Sequence, residues 1–166
     1  MIKVYANNFL YSNRKKYKCA LGVNGIKKNK FEGDGCTPSG QFKVKKLYYR
    51  QDRVKITKSN IKPLPIKKNM YWCDDPDSIH YNKLILHKEK SYEKLYRADN
   101  LYNIILVINY NTDPVIKHKG SAIFIHLAKR NYAPTKGCIA LNLADLVEII
   151  GHISINEKIH VIASLR

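Results

Sequence analysis

The sequence predicts a mainly β domain with one or two short helices. Three observations lead there. Short alternating or continuous runs rich in Val, Ile, Tyr and Phe recur along the chain; Gly, Pro, Asn and Asp clusters separate them; and only Leu143 to Ile150 sets its apolar residues at helical spacing. With 166 residues and a hydrophobic fraction of 45%, the chain is sized for one domain with a substantial core, spanning 1–166.

Taken in order, Ile2 to Tyr5, Phe9 to Ser12 and Tyr17 to Val23 alternate as short strands do, and Asn24-Gly25 is a hairpin signal, so the start is expected to be antiparallel. The glycine-rich Glu32 to Gly40 loop lacks the lysine-serine pattern of a phosphate cradle, and Pro38 stiffens it. It reads as a structural turn that positions a strand over Gln41 to Tyr49. From Arg50 to Tyr81 periodicity fades among prolines and lysines, as in an insertion or a lid, and this segment carries the single tryptophan, Trp72. Asp74 and Asp75 fit a catalytic carboxylate pair less well than they fit a solvated turn.

His80 and His87 flank a brief apolar stretch, Leu84 to Leu86. Tyr102 to Asn109 is the most β-prone run, and its continuous apolar centre predicts burial on both faces. His118, set between Lys117 and Lys119, reads as an exposed loop residue. Ser121 to Leu127 reads as a buried strand containing His126 near its end, after which the chain turns through Pro134 and Gly137 to Cys138. Asn142 is a good N-cap for a helix over Leu143 to Ile150, with Asp145 near its positive end and Gly151 stopping it. Lys158 to Ala163 closes the chain as a strand.

A formal net charge of +17 invites a polyanion partner. The basic residues are 24 lysines against 6 arginines, scattered through strands and loops, and no helix-turn-helix, zinc-finger or RNP pattern accompanies them, so nucleic acid ranks low as the primary partner. An anionic cell envelope suits the same charge, and abundant Lys, Ile and Asn also fit a coding bias. No apolar run approaches membrane-spanning length, and the start MIKVYANNFLY lacks the layout of a secretory leader. The expectation is a soluble chain, either cytoplasmic or exported by a route the sequence does not display. The four cysteines, at 19, 36, 73 and 138, form no C-x-x-C pair and no zinc-type spacing with histidine, so neither a metal nor a cofactor is expected.

The chemistry is expected between Ser121 and Asn142. Cysteine catalysis needs a thiolate, an imidazole to take its proton, and N–H donors facing the oxygen that turns negative during acyl transfer. Cys138 is the candidate nucleophile and His126 the candidate base. The backbone N–H groups of Gly137 and Cys138 are the candidate oxyanion hole, and Lys136 a cation that would favour the thiolate. The bland alternative is a buried cysteine and a hydrogen-bonded edge histidine.

The run GSAIFIH followed by YAPTKGCIAL resembles the catalytic signature of the L,D-transpeptidase (YkuD-type) domain, in which a histidine precedes a Ser/Thr-x-Gly-Cys turn. EGDGCTPSGQF, Glu32 to Phe42, is similar to that family's Gly-Asp-Gly, Thr-Pro-x-Gly loop, and LYNIILVINYN, Leu101 to Asn111, to the strand before its catalytic segment. Lys136 and Ala140 stand where many members have histidine and arginine, a subfamily difference. The resemblance implies a twisted β-sandwich and a thioester mechanism on peptidoglycan stem tetrapeptides in the periplasm or cell wall. An amine acceptor would make the enzyme a transpeptidase and a water acceptor an L,D-carboxypeptidase. A catalytically inactive wall-binding module is the non-enzymatic alternative. Thr135, Lys136 and Arg97 are the candidate substrate-binding residues; for Arg97, an ion pair with Asp99 that fixes a loop competes with that role. Oligomeric state stays open.

Overall fold

The computed structural model describes residues 1–163. Its strands are β1 (Ile2–Tyr5), β2 (Phe9–Ser12), β3 (Lys15–Lys18), β4 (Ile26–Lys27), β5 (Thr37–Pro38), β6 (Gly40–Tyr49), β7 (Pro63–Pro65), β8 (Tyr71–Cys73), β9 (Leu84–Ile85), β10 (Tyr92–Lys94), β11 (Ile104–Ile108), β12 (Phe124–Leu127), β13 (Ile139–Leu141) and β14 (Lys158–Ile162), with one helix, α1 (Leu143–Ile150). The fold is mainly β, as the patterning predicts.

One large sheet runs in the order β13-β12-β11-β6-β14-β1-β2-β3, and β6 belongs to both its halves. The first residues of β6 pair with β14 and its later ones with β11, and the register slips between Val107 and Ile108 so that Lys45 has no partner. A bulge of that kind bends a strand and swaps the face of the residues beyond it. Val44 and Leu47, three apart, accordingly both enter the same core. The bend folds the sheet on itself, and Ala20, just beyond β3, exchanges backbone hydrogen bonds of 2.8 and 2.9 Å with Ala140 of β13. The two ends of the sheet are thereby joined, giving a sandwich nearly closed at one edge.

Between the halves lies the main core: Ile2, Val4 and Ile159 from one, Leu106, Ile125 and Ile139 from the other, with Leu146, Ile149 and Ile150 of α1. Asn142 caps α1, its side chain accepting from the Asp145 N–H at 2.8 Å. Gly151 ends the helix with an ordinary right-handed φ of −65°, not through a left-handed cap.

Two early expectations shift. The second hairpin turn falls at Asn13 and Arg14, both in left-handed backbone (φ 47° and 62°), so β3 begins at Lys15 and the ladder ends at Lys18, where the chain departs to meet β13. Asn24-Gly25 does form a turn, with the Gly25 N–H on Gly22 O at 2.8 Å, but it leads into β4, which pairs parallel with β5. The start is antiparallel through β1, β2 and β3 alone.

β11 is buried on both faces because a second layer covers the outer one. Ile104, Leu106 and Ile108 face the main core, while Ile105 and Val107 join Met70, Trp72, Leu95, Tyr102 and Phe124 in another cluster. That layer grows from the excursion after Arg50. β7 pairs with β6, and β8, β9 and β10 make a small sheet of their own, so the excursion continues past Tyr81 and is packed down as a wall. Asn82 fastens it: Oδ1 accepts from Trp72 Nε1 (2.9 Å) and the Ala122 N–H (3.0 Å), while Nδ2 donates to the carbonyls of Tyr110 and Asn111. Substitution of Asn82 by alanine leaves these buried groups unpaired, and urea denaturation should show a loss of about 3 kcal/mol. A change within about 0.5 kcal/mol would mean that water takes over the bonds.

Candidate active site

β12 and β13 are adjacent and parallel, with Ile125 opposite Ile139 and His126 opposite Ala140. Side chains alternate along each strand, so Ile125, Leu127, Ile139 and Leu141 enter the main core while Phe124, His126, Cys138 and Ala140 share the other face. The local sequence thus sets thiol and imidazole on one surface, two positions apart in register, with Cys138 level with Phe124 and His126 level with Ala140. Both line a cavity of about 560 Å³ walled by Lys30, Glu32, Asp74, Glu93, Arg97 and Tyr102.

Cys138 is 9% exposed and free, as are the other three cysteines. Its thiol donates to Ala122 O at 3.1 Å and accepts from the Phe124 N–H at 3.3 Å. Ala122 holds a left-handed φ of 51°, rare for a side-chain-bearing residue, with its N–H fixed on Asn82. Burial pushes the thiol up to about 12; the Phe124 N–H and the Lys30 charge pull the other way, and Glu93 adds to the rise. The resting sulfur is a protonated thiol.

His126 is 6% exposed and donates from Nδ1 to Leu127 O at 2.8 Å. A carbonyl only accepts, so this bond places the ring proton on Nδ1 and leaves the lone pair on Nε2. Burial lowers its pKa to about 4, against the carbonyls of Leu127 and Leu101, which favour the cation. Tyr102 packs edge-on against the ring at 5.3 Å between centroids. Among the described residues the thiol and the imidazole bond to backbone and not to each other. The pair is neutral at rest, with a vacant basic nitrogen.

The turn before Cys138 is built by Thr135 and Gly137. Thr135 Oγ1 accepts the Gly137 N–H at 3.0 Å and donates to Cys138 O at 2.6 Å. The hydroxyl proton is thus spent inside the turn, which leaves Thr135 a shaping role and none as a donor to a ligand in this arrangement. The Gly137 N–H is likewise engaged, whereas the Cys138 N–H has no partner among the described residues. Gly137 is required as glycine: its φ is 137°, and a β-carbon would fall 2.8 Å from Cys36 O.

The other expected residues divide. Lys136 is exposed at the cavity rim, while the charge of buried Lys30 lowers the thiol's pKa, the smallest of the influences on it. Arg97 lines the cavity, but its guanidinium fork is closed on Asp99 by two bonds of 2.8 and 2.6 Å, so the loop-fixing geometry is the one present. Asp75 caps its own turn through the Asp77 N–H, while Asp74 faces the cavity, its carboxyl held above the usual range by burial and by nearby Glu32 and Asp75. Glu93, also raised by burial and then by Asp74, stands beside it.

Lys30 and Glu32 are the residues that pattern reading passes over. The glycine-rich loop reads as structural, yet the fold turns both side chains inward. Glu32 Oε2 accepts from Tyr81 Oη at 2.5 Å and Ser121 Oγ at 2.7 Å, tying that loop to the segment that leads into β12. The charges in and just before the glycine motif were the available signal. Away from this cavity, His80, His87 and Glu89 bring three potential metal-ligating atoms within 4.8 Å of one another, a grouping spacing alone does not suggest. Glu89 Oε1 is already bonded to both imidazoles, and Lys83, Lys88 and Lys90 surround it in sequence.

Residues 2–161 match the family model described as the L,D-transpeptidase catalytic domain. The chain is similar to the crystal structure of Mycobacterium tuberculosis L,D-transpeptidase 1 at 12% identity and a TM-score of 0.42, over 97% of this chain and 58% of that one. It is similar to an L,D-transpeptidase from Mycobacterium smegmatis at 12% identity and a TM-score of 0.44, over 98% and 58%. The chain therefore spans 58% of the length of either structure. No curated protein sequence matches it. Among the described residues, no helix is long and apolar enough to cross a membrane.

Proposed function

Because the chain belongs to the L,D-transpeptidase catalytic domain family, we propose that it is a cysteine acyltransferase that cross-links peptidoglycan stem peptides in the cell wall or periplasm. The observation that carries this reading is a free thiol and a neutral imidazole on one strand pair, both opening on one cavity.

In the proposed reaction Cys138 Sγ attacks the carbonyl that joins a diaminopimelate-type residue to the terminal D-alanine. The thiol proton passes to Nε2 of His126 and then to the departing amine, so the imidazole ends as it began. The unpaired N–H of Cys138 is the first donor to the oxyanion; that of Gly137 joins it once released by Thr135. A side-chain amine of a neighbouring stem resolves the thioester and regenerates the thiol. The mixed wall of Lys30, Arg97 and Lys136 against Glu32, Asp74 and Glu93 suits a peptide bearing both carboxylates and amines.

Mass spectrometry of products from purified muropeptides tests this. A cross-linked dimer with one D-alanine released is the expected result. A shortened monomer would assign the thioester to water and make the protein an L,D-carboxypeptidase. No release of D-alanine from any tetrapeptide would overturn the reading.

A further inference from the structure

Lys30 is 3% exposed, an unusual place for a lysine, and its position relative to the nucleophile's turn accounts for it. The side chain passes between two glycines in left-handed backbone. A β-carbon on Gly120 would fall 2.8 Å from Lys30 Cε, and one on Gly137 would stand 3.5 Å from Nζ. Gly120 thus clears the space through which the side chain passes, and the ammonium ends against Gly137, the residue preceding Cys138, at the cavity wall. Asp34 anchors it: Nζ donates to Oδ1 at 2.6 Å and makes a longer contact of 3.4 Å to Phe31 O. The third ammonium proton has no acceptor among the described residues.

Asp34 has hydrogen-bond partners besides the lysine. Oδ1 also accepts the Cys36 N–H at 2.9 Å, and Oδ2 the Phe31 N–H at 3.0 Å. Buried ion pairs are in general poor stabilisers compared with apolar residues of the same size. Backbone bonds to Asp34 hold this loop besides the ion pair, and the ammonium, with one proton uncommitted, stands beside Gly137, whose neighbour is Cys138.

Resting on the reading of Cys138 as nucleophile, we propose that Lys30 is the cation that supports the Cys138 thiolate and the oxyanion formed by its attack. Lys30 acts as a positioning charge and keeps its protons throughout. The thiol proton goes to His126, the sulfur forms a bond to the carbonyl carbon, and the carbonyl π pair moves to oxygen near the ammonium. Collapse of that intermediate breaks the carbon–nitrogen bond, and His126 returns the proton to the leaving amine. Lys30 thereby fills the role that sequence adjacency suggests for Lys136, from a segment remote in the chain.

The test is the rate of Cys138 alkylation by iodoacetamide between pH 6 and 9, followed by peptide mass spectrometry, in the full chain and in Lys30→Arg and a Lys30→Met, Asp34→Asn double variant. The double variant removes both charges and so avoids a stranded buried carboxylate. It should fold and react about tenfold more slowly at every pH, a displacement of one pH unit, while Lys30→Arg keeps the wild-type profile. A folded double variant with the wild-type profile would overturn the proposal, because a structural pin would not move thiol reactivity. Failure of the double variant to fold would overturn it too, making the pair a stability element. Absence of Cys138 labelling in the folded wild-type chain would instead remove the nucleophile reading on which the proposal stands.

Discussion

Cys138→Ala is expected to lower release of D-alanine from a tetrapeptide stem by about 10⁴-fold or more, with little change in the fold. The substitution deletes only the sulfur. Its neighbours Ala122 O and the Phe124 N–H lose one hydrogen bond each, and the surrounding layer of Trp72, Tyr102 and Phe124 is otherwise untouched. A loss of about 1 kcal/mol in chemical denaturation is consistent with that. Such a split, large in turnover and small in stability, is what a nucleophile gives and a packing residue does not. Turnover within a few fold of wild type would exclude Cys138 from the chemistry. Cys138→Ser sharpens the comparison, since a hydroxyl can keep both backbone bonds yet cannot form the thioester.

The parts of this site that were legible in the sequence are those written locally. β11, β12 and α1 carry their own patterns, and the Pro-Thr-x-Gly-Cys turn announces itself through residues with strong backbone preferences. The apolar centre of Ile104 to Ile108 correctly implied cover on both faces, although not what supplied it. The bulge at Lys45 that bends β6, and the closure between Ala20 and Ala140, depend on pairings far apart in sequence, for which periodicity has no signature. The same limit explains why Lys136, adjacent to Gly137 in the chain, looked like the activating cation: proximity in sequence was the only proximity available. Lys30 reaches the turn because Gly120, from a segment remote in the chain, leaves room for it. Arg97 shows the reverse, since its partner Asp99 lies two residues away and that pairing was readable.

His126→Asn should reduce kcat/KM by about 10² to 10⁴, the range for loss of a positioned general base, and should also flatten the acid limb of the stability curve. The second effect comes from burial. With its folded pKa lowered to about 4, below the unfolded value of 6.5, His126 stays neutral in the native chain while the unfolded chain takes up a proton. Stability from this group is therefore full above pH 6.5 and is lost as pH falls toward 4, by roughly 3 kcal/mol. Asp74 and Glu93 are raised by burial and so favour the folded state as pH falls, opposing His126. The difference between wild type and variant, measured by urea denaturation from pH 4 to 7.5, isolates the histidine from them. Arg97 and Asp99 act on the ring with opposite signs, and their effects are part of the histidine's shift that the difference reports. A variant that turns over normally while losing several kcal/mol would make His126 a core residue held by Leu127 and Tyr102, and the proton from Cys138 would need another acceptor in the cavity.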